Sequence, residues 1–283
     1  MALAPRPSFS DCARHRDEEG FPPLRTVQLT LEYDGTDYVG WQVQPNGPSI
    51  QAELEQALSV LLKEPVKLTG AGRTDAGVHA LGQVASFTTA RTVPPRAFVQ
   101  GLNSLLPKDI AVRAARERAE GFDARRSARG KTYRYRVVNR SSRAPLWRRY
   151  AWELFRPLDE AAMARGATAL LGRHDFSAFR ASDCGAATAV REVRRLAVAR
   201  EGEQVVFEVT ATAFLKHMVR NLVGTLVEVG LGRRDAGSLG ALLASRDRTL
   251  AGATAPARGL CLVEVHYDDG PAPAPPEGYT PSP

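Results

Sequence analysis

Residues 70–80 read Gly70-Ala71-Gly72-Arg73-Thr74-Asp75-Ala76-Gly77-Val78-His79-Ala80, and how this stretch is read decides the kind of α/β chain at hand. Glycines following a strand suggest the dinucleotide fingerprint G-x-G-x-x-G, but that motif needs a glycine where this chain has Asp75, and a carboxylate there would repel a pyrophosphate. The P-loop pattern fails too, because no Gly-Lys-Ser/Thr follows. A doubly wound nucleotide-binding fold is thereby disfavoured. What remains is a loop in which Gly70, Gly72 and Gly77 permit close backbone approaches. It frames one cation, Arg73, and one anion, Asp75, just past a strand ending near Gly70. Such a loop presents Asp75 to a cleft; a turn closed by a local Arg73–Asp75 salt bridge is the plainer alternative.

Outward from the loop, Val27, Leu29, Leu31 and Tyr33 alternate with period two and predict a strand. Ser49 is placed to cap a helix carrying Ile50, Leu54, Ala57, Leu58 and Leu61 at helical spacing. Strands near 66–70 and 84–88, a helix near 95–105 after Pro94-Pro95 and a strand near 110–116 complete a β-α-β-β-α-β order. The second half repeats it: a strand at 131–138, a helix at 158–171, strands at 192–200 and 204–211, a helix at 214–230 and a last strand at 260–266, with an extra helix near 235–245. The expected fold is α/β (α+β), two ferredoxin-like halves with mainly antiparallel sheets and a cleft between them. The repeat rests on element order alone. Expected boundaries are a disordered extension at 1–24, an N-terminal domain at 25–118 with the Asp75 loop, a C-terminal domain at 119–267 and a Pro-rich disordered tail at 268–283.

With 283 residues, 43% of them hydrophobic and 24% charged, the body of the chain has the composition of a globular protein. Its net charge of +7 comes from 33 Arg and 5 Lys against 31 Asp and Glu, and the excess is local. Residues 113–149 carry 12 Arg and Lys131 against Glu117, Glu120 and Asp123, a balance of +10, while the other 246 residues total −3. A basic band on a balanced chain points to a polyanion, with a salt-bridged dimer surface or an anionic small molecule as alternatives. Cys12, Cys184 and Cys261 are too scattered for a disulfide framework or a CxxC metal site, and the five histidines form no HxxxH or HExxH pair. No metal and no cofactor are expected. Neither a run of about 18 apolar residues nor a signal-peptide core occurs, so the expectation is a soluble, cytoplasmic protein without membrane contact.

Two further clusters stand out. In the segment Phe214–Gly224, positions 217, 220 and 224 share one helical face amid apolar neighbours, and an arginine entering a buried region needs a carboxylate; Asp75 is the candidate partner for Arg220, with an arginine reaching solvent as the alternative. On the strand Lys131-Thr132-Tyr133-Arg134-Tyr135-Arg136, alternation sends Lys131, Tyr133 and Tyr135 to one face and Arg134 and Arg136 to the other. Aromatic rings on a basic sheet make a stacking platform for bases, or else are core tyrosines capped through their hydroxyls.

Taken in order, Tyr33-Asp34-Gly35, Gly40-Trp41-Gln42, the 70–80 loop, Tyr133-Arg134-Tyr135, Asp175-Phe176, Lys216-His217-Met218-Val219-Arg220-Asn221 and Gly259-Leu260 resemble the TruA family of tRNA pseudouridine synthases over roughly residues 25–267. The resemblance implies a homodimeric isomerase that converts uridines of the tRNA anticodon arm, positions 38–40, to pseudouridine without a cofactor. It also implies Asp75 as catalytic nucleophile, Arg220 paired with it, Arg73 displacing the target base, Tyr133 packing on the uracil and Leu260 lining the pocket. The chemistry is compatible with these residues: the reaction needs a nucleophile, a group to manage the C5 proton and a dry pocket for an extruded nucleotide. Attack at C1′ of the ribose and attack at C6 of the uracil both remain open. A non-catalytic tRNA-binding or RNA-chaperone module on the same scaffold is the competing reading.

Overall fold

The period-two segment forms β1 (Arg25–Tyr33), with Val27, Leu29, Leu31 and Tyr33 buried. The computed structural model describes residues 24–268 and 270–271; the expected disordered segments lie outside the described residues except at Leu24, Asp268, Gly270 and Pro271. After β1, Ser49 accepts a hydrogen bond from Ala52 N at 3.3 Å and starts α1 (Ile50–Leu62). Leu62 rather than Leu61 completes its buried face, and Leu61 lies against Gly101 instead. Then come β2 (Thr69–Gly70), β3 (His79–Thr89), α2 (Pro95–Leu105) and β4 (Ile110–Arg118). Pro95 stands in the first turn of α2, where its missing N–H costs nothing.

The second half runs β5 (Gly130–Asn139), β6 (Trp152–Leu154), α3 (Glu160–Thr168), β7 (Gly172–Asp175), β8 (Val190–Glu201), β9 (Gln204–Ala211), α4 (Met218–Gly230), α5 (Leu239–Ser245) and β10 (Leu260–Tyr267). The short strands β6 and β7 have no sequence signal of their own and exist by pairing with β5 and β8. The helix read at 158–171 starts at Glu160 because Asp159 caps it, accepting from Ala162 N at 2.8 Å, and beyond Thr168 it gives way to tighter turns in which Leu170 N donates to Ala167 O and Leu171 N to Thr168 O. The extra helix near 235–245 divides into a 3-10 turn at Ala236–Ser238 and α5.

The strands lie in the order β4-β1-β3-β10-β5-β9-β8-β7, forming one open and mostly antiparallel sheet of an α+β fold. Counting the four principal strands of each half, β1 to β4 and then β5, β8, β9 and β10, the spatial order is fourth, first, third, second in both, so the expected repeat of element order is a repeat of topology as well. The join between halves uses the part of β3 that β2 does not reach. Instead of spanning 66–70, β2 contributes only Thr69 and Gly70, opposite Ser86 and Ala85, and it ends there, so the first residues of β3 keep that edge open. That edge is filled by β10 in parallel register, Cys261 opposite His79 and Leu262 opposite Ala80. Pairing there satisfies backbone groups that would otherwise be buried without partners, and one hydrophobic cluster runs through both halves.

At the join the backbones come unusually close: a Cβ on Gly82 would lie 2.3 Å from the Val263 carbonyl oxygen. Gly82→Ala is expected to force β3 and β10 apart and to lower stability by roughly 1–3 kcal/mol, read as a lower urea midpoint by tryptophan fluorescence. An unchanged midpoint would show that the join absorbs a methyl group.

Candidate active site

Asp75 lies in the turn between β2 and β3, closed by Val78 N donating to Asp75 O at 3.1 Å. The preceding segment presses on this loop from one side: Trp41 N donates to Thr74 O at 3.0 Å, and Gly40 bridges Asp75. Gly40 has φ +113°, and a Cβ there would meet Thr74 O at 2.6 Å, so glycine is required on both counts. On the other side Tyr33 Oη and Thr74 Oγ1 are 2.9 Å apart, and Gln83 Nε2 donates to Gly72 O at 2.9 Å. Rigid neighbours hold the loop, yet the Asp75 side chain keeps 26% of its surface exposed.

From the other half of the sheet, α4 delivers Arg220, whose Nη1 donates to Asp75 Oδ2 at 3.2 Å and whose Nε donates to Ala255 O at 2.7 Å. Ala255 N in turn donates to Arg220 O at 3.1 Å, so guanidinium and backbone are both fixed before Asp75 is engaged. The helix starts later than its apolar pattern suggests, at Met218, because His217 adopts a left-handed conformation with φ +61°. His217 Nε2 lies 3.4 Å from the same Asp75 Oδ2. Burial lowers the His217 pKa below the usual histidine value, against the opposite pull of Asp75. Lys216, outside the helix, pairs with Asp183.

Tyr133 and Tyr135 share a face as alternation requires, but differ in role. Tyr135 is fully buried and its hydroxyl donates to Pro256 O at 2.7 Å, a capped core tyrosine. Tyr133 packs edge-on against Phe214 with ring centroids 4.9 Å apart, and its hydroxyl has no hydrogen bond among the described residues. Burial, reinforced by Tyr33 and the Asp75 charge, pushes its pKa far above the ordinary tyrosine value, so the phenol stays protonated. Leu260 is buried at the start of β10 opposite Tyr135. Arg73 is exposed and has no carboxylate partner among the described residues, so the local Arg73–Asp75 salt bridge is not formed.

Several cations of the basic segment are neutralised by acids from elsewhere in the chain. Arg113 faces Glu32 at 3.4 Å, Arg129 faces Asp268 at 2.8 Å, Arg134 faces Glu208 at 3.0 Å and Arg140 faces Glu203 at 2.8 Å. Arg125, Arg126, Arg143 and Arg148 have no such partner among the described residues. Neither has Lys131, packed beside Gly72 of the catalytic-loop candidate; burial, with Arg125 adding to it, pushes its pKa down to about 8.

A second network escaped the sequence reading. His79 is buried at the join, with Nδ1 accepting from Gly35 N at 3.1 Å and Nε2 facing the carbonyl oxygens of Arg149 at 2.9 Å and Arg258 at 3.2 Å. Its ring packs on Tyr150 at 5.1 Å, and the Tyr150 hydroxyl donates to Asp34 Oδ2 at 2.8 Å. The only hint was that His79 closes the glycine loop and Asp34-Gly35 ends the first strand. Among the described residues no three His, Cys, Asp or Glu side chains converge as a metal site requires.

The profile of a family described as tRNA pseudouridine synthase matches residues 30–125 and 167–268, the segments that carry the Asp75 loop and Arg220. A Myxococcus xanthus protein named tRNA pseudouridine synthase A is 61% identical over 255 residues, covering 90% of this chain and 96% of the relative. Proteins of that name from Geotalea uraniireducens and Pelobacter propionicus are 51% and 52% identical over 244 residues, covering 86% of this chain and 100% of each relative. The chain belongs to the tRNA pseudouridine synthase family, in its TruA branch. Pseudouridine synthases are isomerases.

Arg220→Lys keeps the positive charge but offers one ammonium where the guanidinium reaches both Ala255 O and Asp75. It is expected to lower kcat by roughly 10–100-fold, the cost of a misplaced reacting group, with tRNA affinity retained in a filter-binding assay. Parent-like kcat would show that charge alone is what Asp75 needs.

Proposed function

We propose that this protein converts uridine to pseudouridine at positions 38–40 of the tRNA anticodon stem-loop, with Asp75 as nucleophile, and that it works in the cytoplasm as a homodimer. The observation that carries the reading is the partly exposed Asp75 carboxylate gripped by Arg220 from the opposite half of the sheet, with Tyr133, whose hydroxyl has no hydrogen bond among the described residues, close enough for the Asp75 charge to act on it. Burial penalises a carboxylate, and an arginine beside it offsets that penalty without quenching it.

The reaction breaks N1–C1′ of uridine, rejoins C5 to C1′, releases the C5 proton and protonates N1, so atoms balance without a second reactant. Extruding the nucleotide costs a few kcal/mol; stacking on the Tyr133 ring returns about 1–3 kcal/mol. Arg73, exposed and without a carboxylate partner among the described residues, takes in this reading the position vacated by the base, as the family resemblance implies. The unpartnered Arg125, Arg126, Arg143 and Arg148 and the charge-poor setting of Lys131 favour a polyanion that supplies the missing negative charge. Dimerisation and cytoplasmic location follow the family resemblance; no helix among the described residues is long and apolar enough to cross a membrane.

Unmodified tRNA incubated with the protein alone is expected to give carbodiimide-dependent reverse-transcription stops in the anticodon arm. Asp75→Asn is expected to abolish them while tRNA binding persists; substantial turnover by this variant would remove Asp75 from the nucleophile's role. Tyr133→Phe keeps the ring, so binding is expected to hold while turnover falls by roughly 100-fold or more if the hydroxyl takes part in proton transfer. Parent-like turnover would leave Tyr133 its ring alone.

A further inference from the structure

His217 is held at a cost. A β-carbon at φ +61° meets its own backbone, a conformation that glycine adopts freely and asparagine tolerates better than other side chains. The chain nevertheless places a histidine there and locks it: Met218 N donates to Leu215 O at 3.1 Å and Asn221 N donates to His217 O at 2.9 Å. Strained backbone of this kind persists where the surroundings dictate it and is concentrated at functional sites.

The strained turn brings imidazole Nε2 to 3.4 Å from Asp75 Oδ2, the oxygen that also receives Arg220 Nη1 at 3.2 Å. Asp75 Oδ1 has no partner among the described residues. A carboxylate held through one oxygen by one donor still pivots about that contact. A second polar contact on the same oxygen, His217 Nε2 at 3.4 Å, restrains that pivot and leaves the other oxygen without a contact among the described residues. The charged groups around His217 are Asp75 from the β2–β3 loop, Arg220 from α4, Lys216 from its own turn and Asp183, which binds Lys216. With two cations already near, a neutral N–H orients the carboxylate without drawing off more of its charge.

We propose that His217 is a positioning residue that, together with Arg220, holds Oδ2 of Asp75 so that Oδ1 is the attacking oxygen. This rests on Asp75 being the nucleophile.

Three variants of the full-length protein separate positioning from structure. His217→Gly removes the imidazole and the left-handed strain. It is expected to melt at or above the parent temperature, yet to turn over unmodified tRNA roughly 10–100-fold more slowly with KM unchanged. His217→Asn also suits the backbone but is too short to reach Asp75, and is expected to behave like the glycine variant. His217→Gln keeps the strain and restores an N–H donor at similar reach; it is expected to melt lower than the glycine variant and to react faster. Stability and activity would thus rank in opposite orders. Activity that follows melting temperature across the set, or a glycine variant as fast as the parent, overturns the proposal. Asp75→Asn, assayed in parallel, shows which inference has failed: turnover by that variant removes the nucleophile assignment and the role of His217 with it, whereas an inactive Asp75→Asn beside a fast His217→Gly removes the role of His217 alone.

Discussion

The short parallel pairing of β10 with β3, Cys261 beside His79 and Leu262 beside Ala80, is the constraint on which the rest of this molecule depends. The strand that receives it begins four residues after Asp75, and the strand that provides it begins just past the segment whose Ala255 carbonyl anchors Arg220. Backbone register in a sheet is quantised, since a slip by one residue turns every side chain to the other face. A slip at this join would carry the aspartate and the arginine away from each other. The close approach of Gly82 to Val263, and the His79 network that ties the Asp34-Gly35 turn to the backbone of Arg149 and Arg258 and to the side chain of Tyr150, bear on the same few residues.

Around Asp75 the electrostatics are asymmetric in a useful way. One oxygen takes the charged and polar contacts from α4 and its preceding turn, and the other is left without them. The arginine is set by the backbone of residue 255 before it meets the carboxylate, so little conformational freedom remains to be lost when the site is used. The protonated Tyr133 and the uncompensated Lys131 lie on the same strand face, one offering an aromatic surface and the other a cation without a counterion.

The charge pattern changes meaning once the chain is folded. Counted along the sequence, residues 113–149 form a strongly basic block; in space Glu32, Glu203, Glu208 and Asp268 neutralise part of it. Most of these pairs are partly exposed and add little stability. Their effect is to leave Arg125, Arg126, Arg143, Arg148 and Lys131 of that block, with Arg73 outside it, lacking an acidic partner among the described residues, fewer cations than the count implies. Neutralised arginines cannot displace counterions from a polyanion, so affinity has to come from this smaller set.

Local chemistry made much of this protein legible in its sequence. Alternation marked β1 and β5, Ser49 and Pro95 marked helix starts, and an aspartate where a nucleotide-binding loop needs glycine removed the commonest alternative. These signals survive because they act between residues a few positions apart. Other features depended on partners far away along the chain. β3 lengthens back to His79 because β1 and β10 pair with its first residues; Leu62 replaces Leu61 according to what α1 packs on; α4 starts late because His217 is drawn into a left-handed turn. The sequence alone thus determined the order of the principal strands and helices, the class of fold and the identity of Asp75, Arg220 and Tyr133 as residues of interest. Only the tertiary structure decided that Arg220 and His217 meet one oxygen of Asp75 and that Arg73 is left unpaired. Such contacts join residues more than 140 positions apart, and they are set by strand register and close packing, which no local pattern encodes.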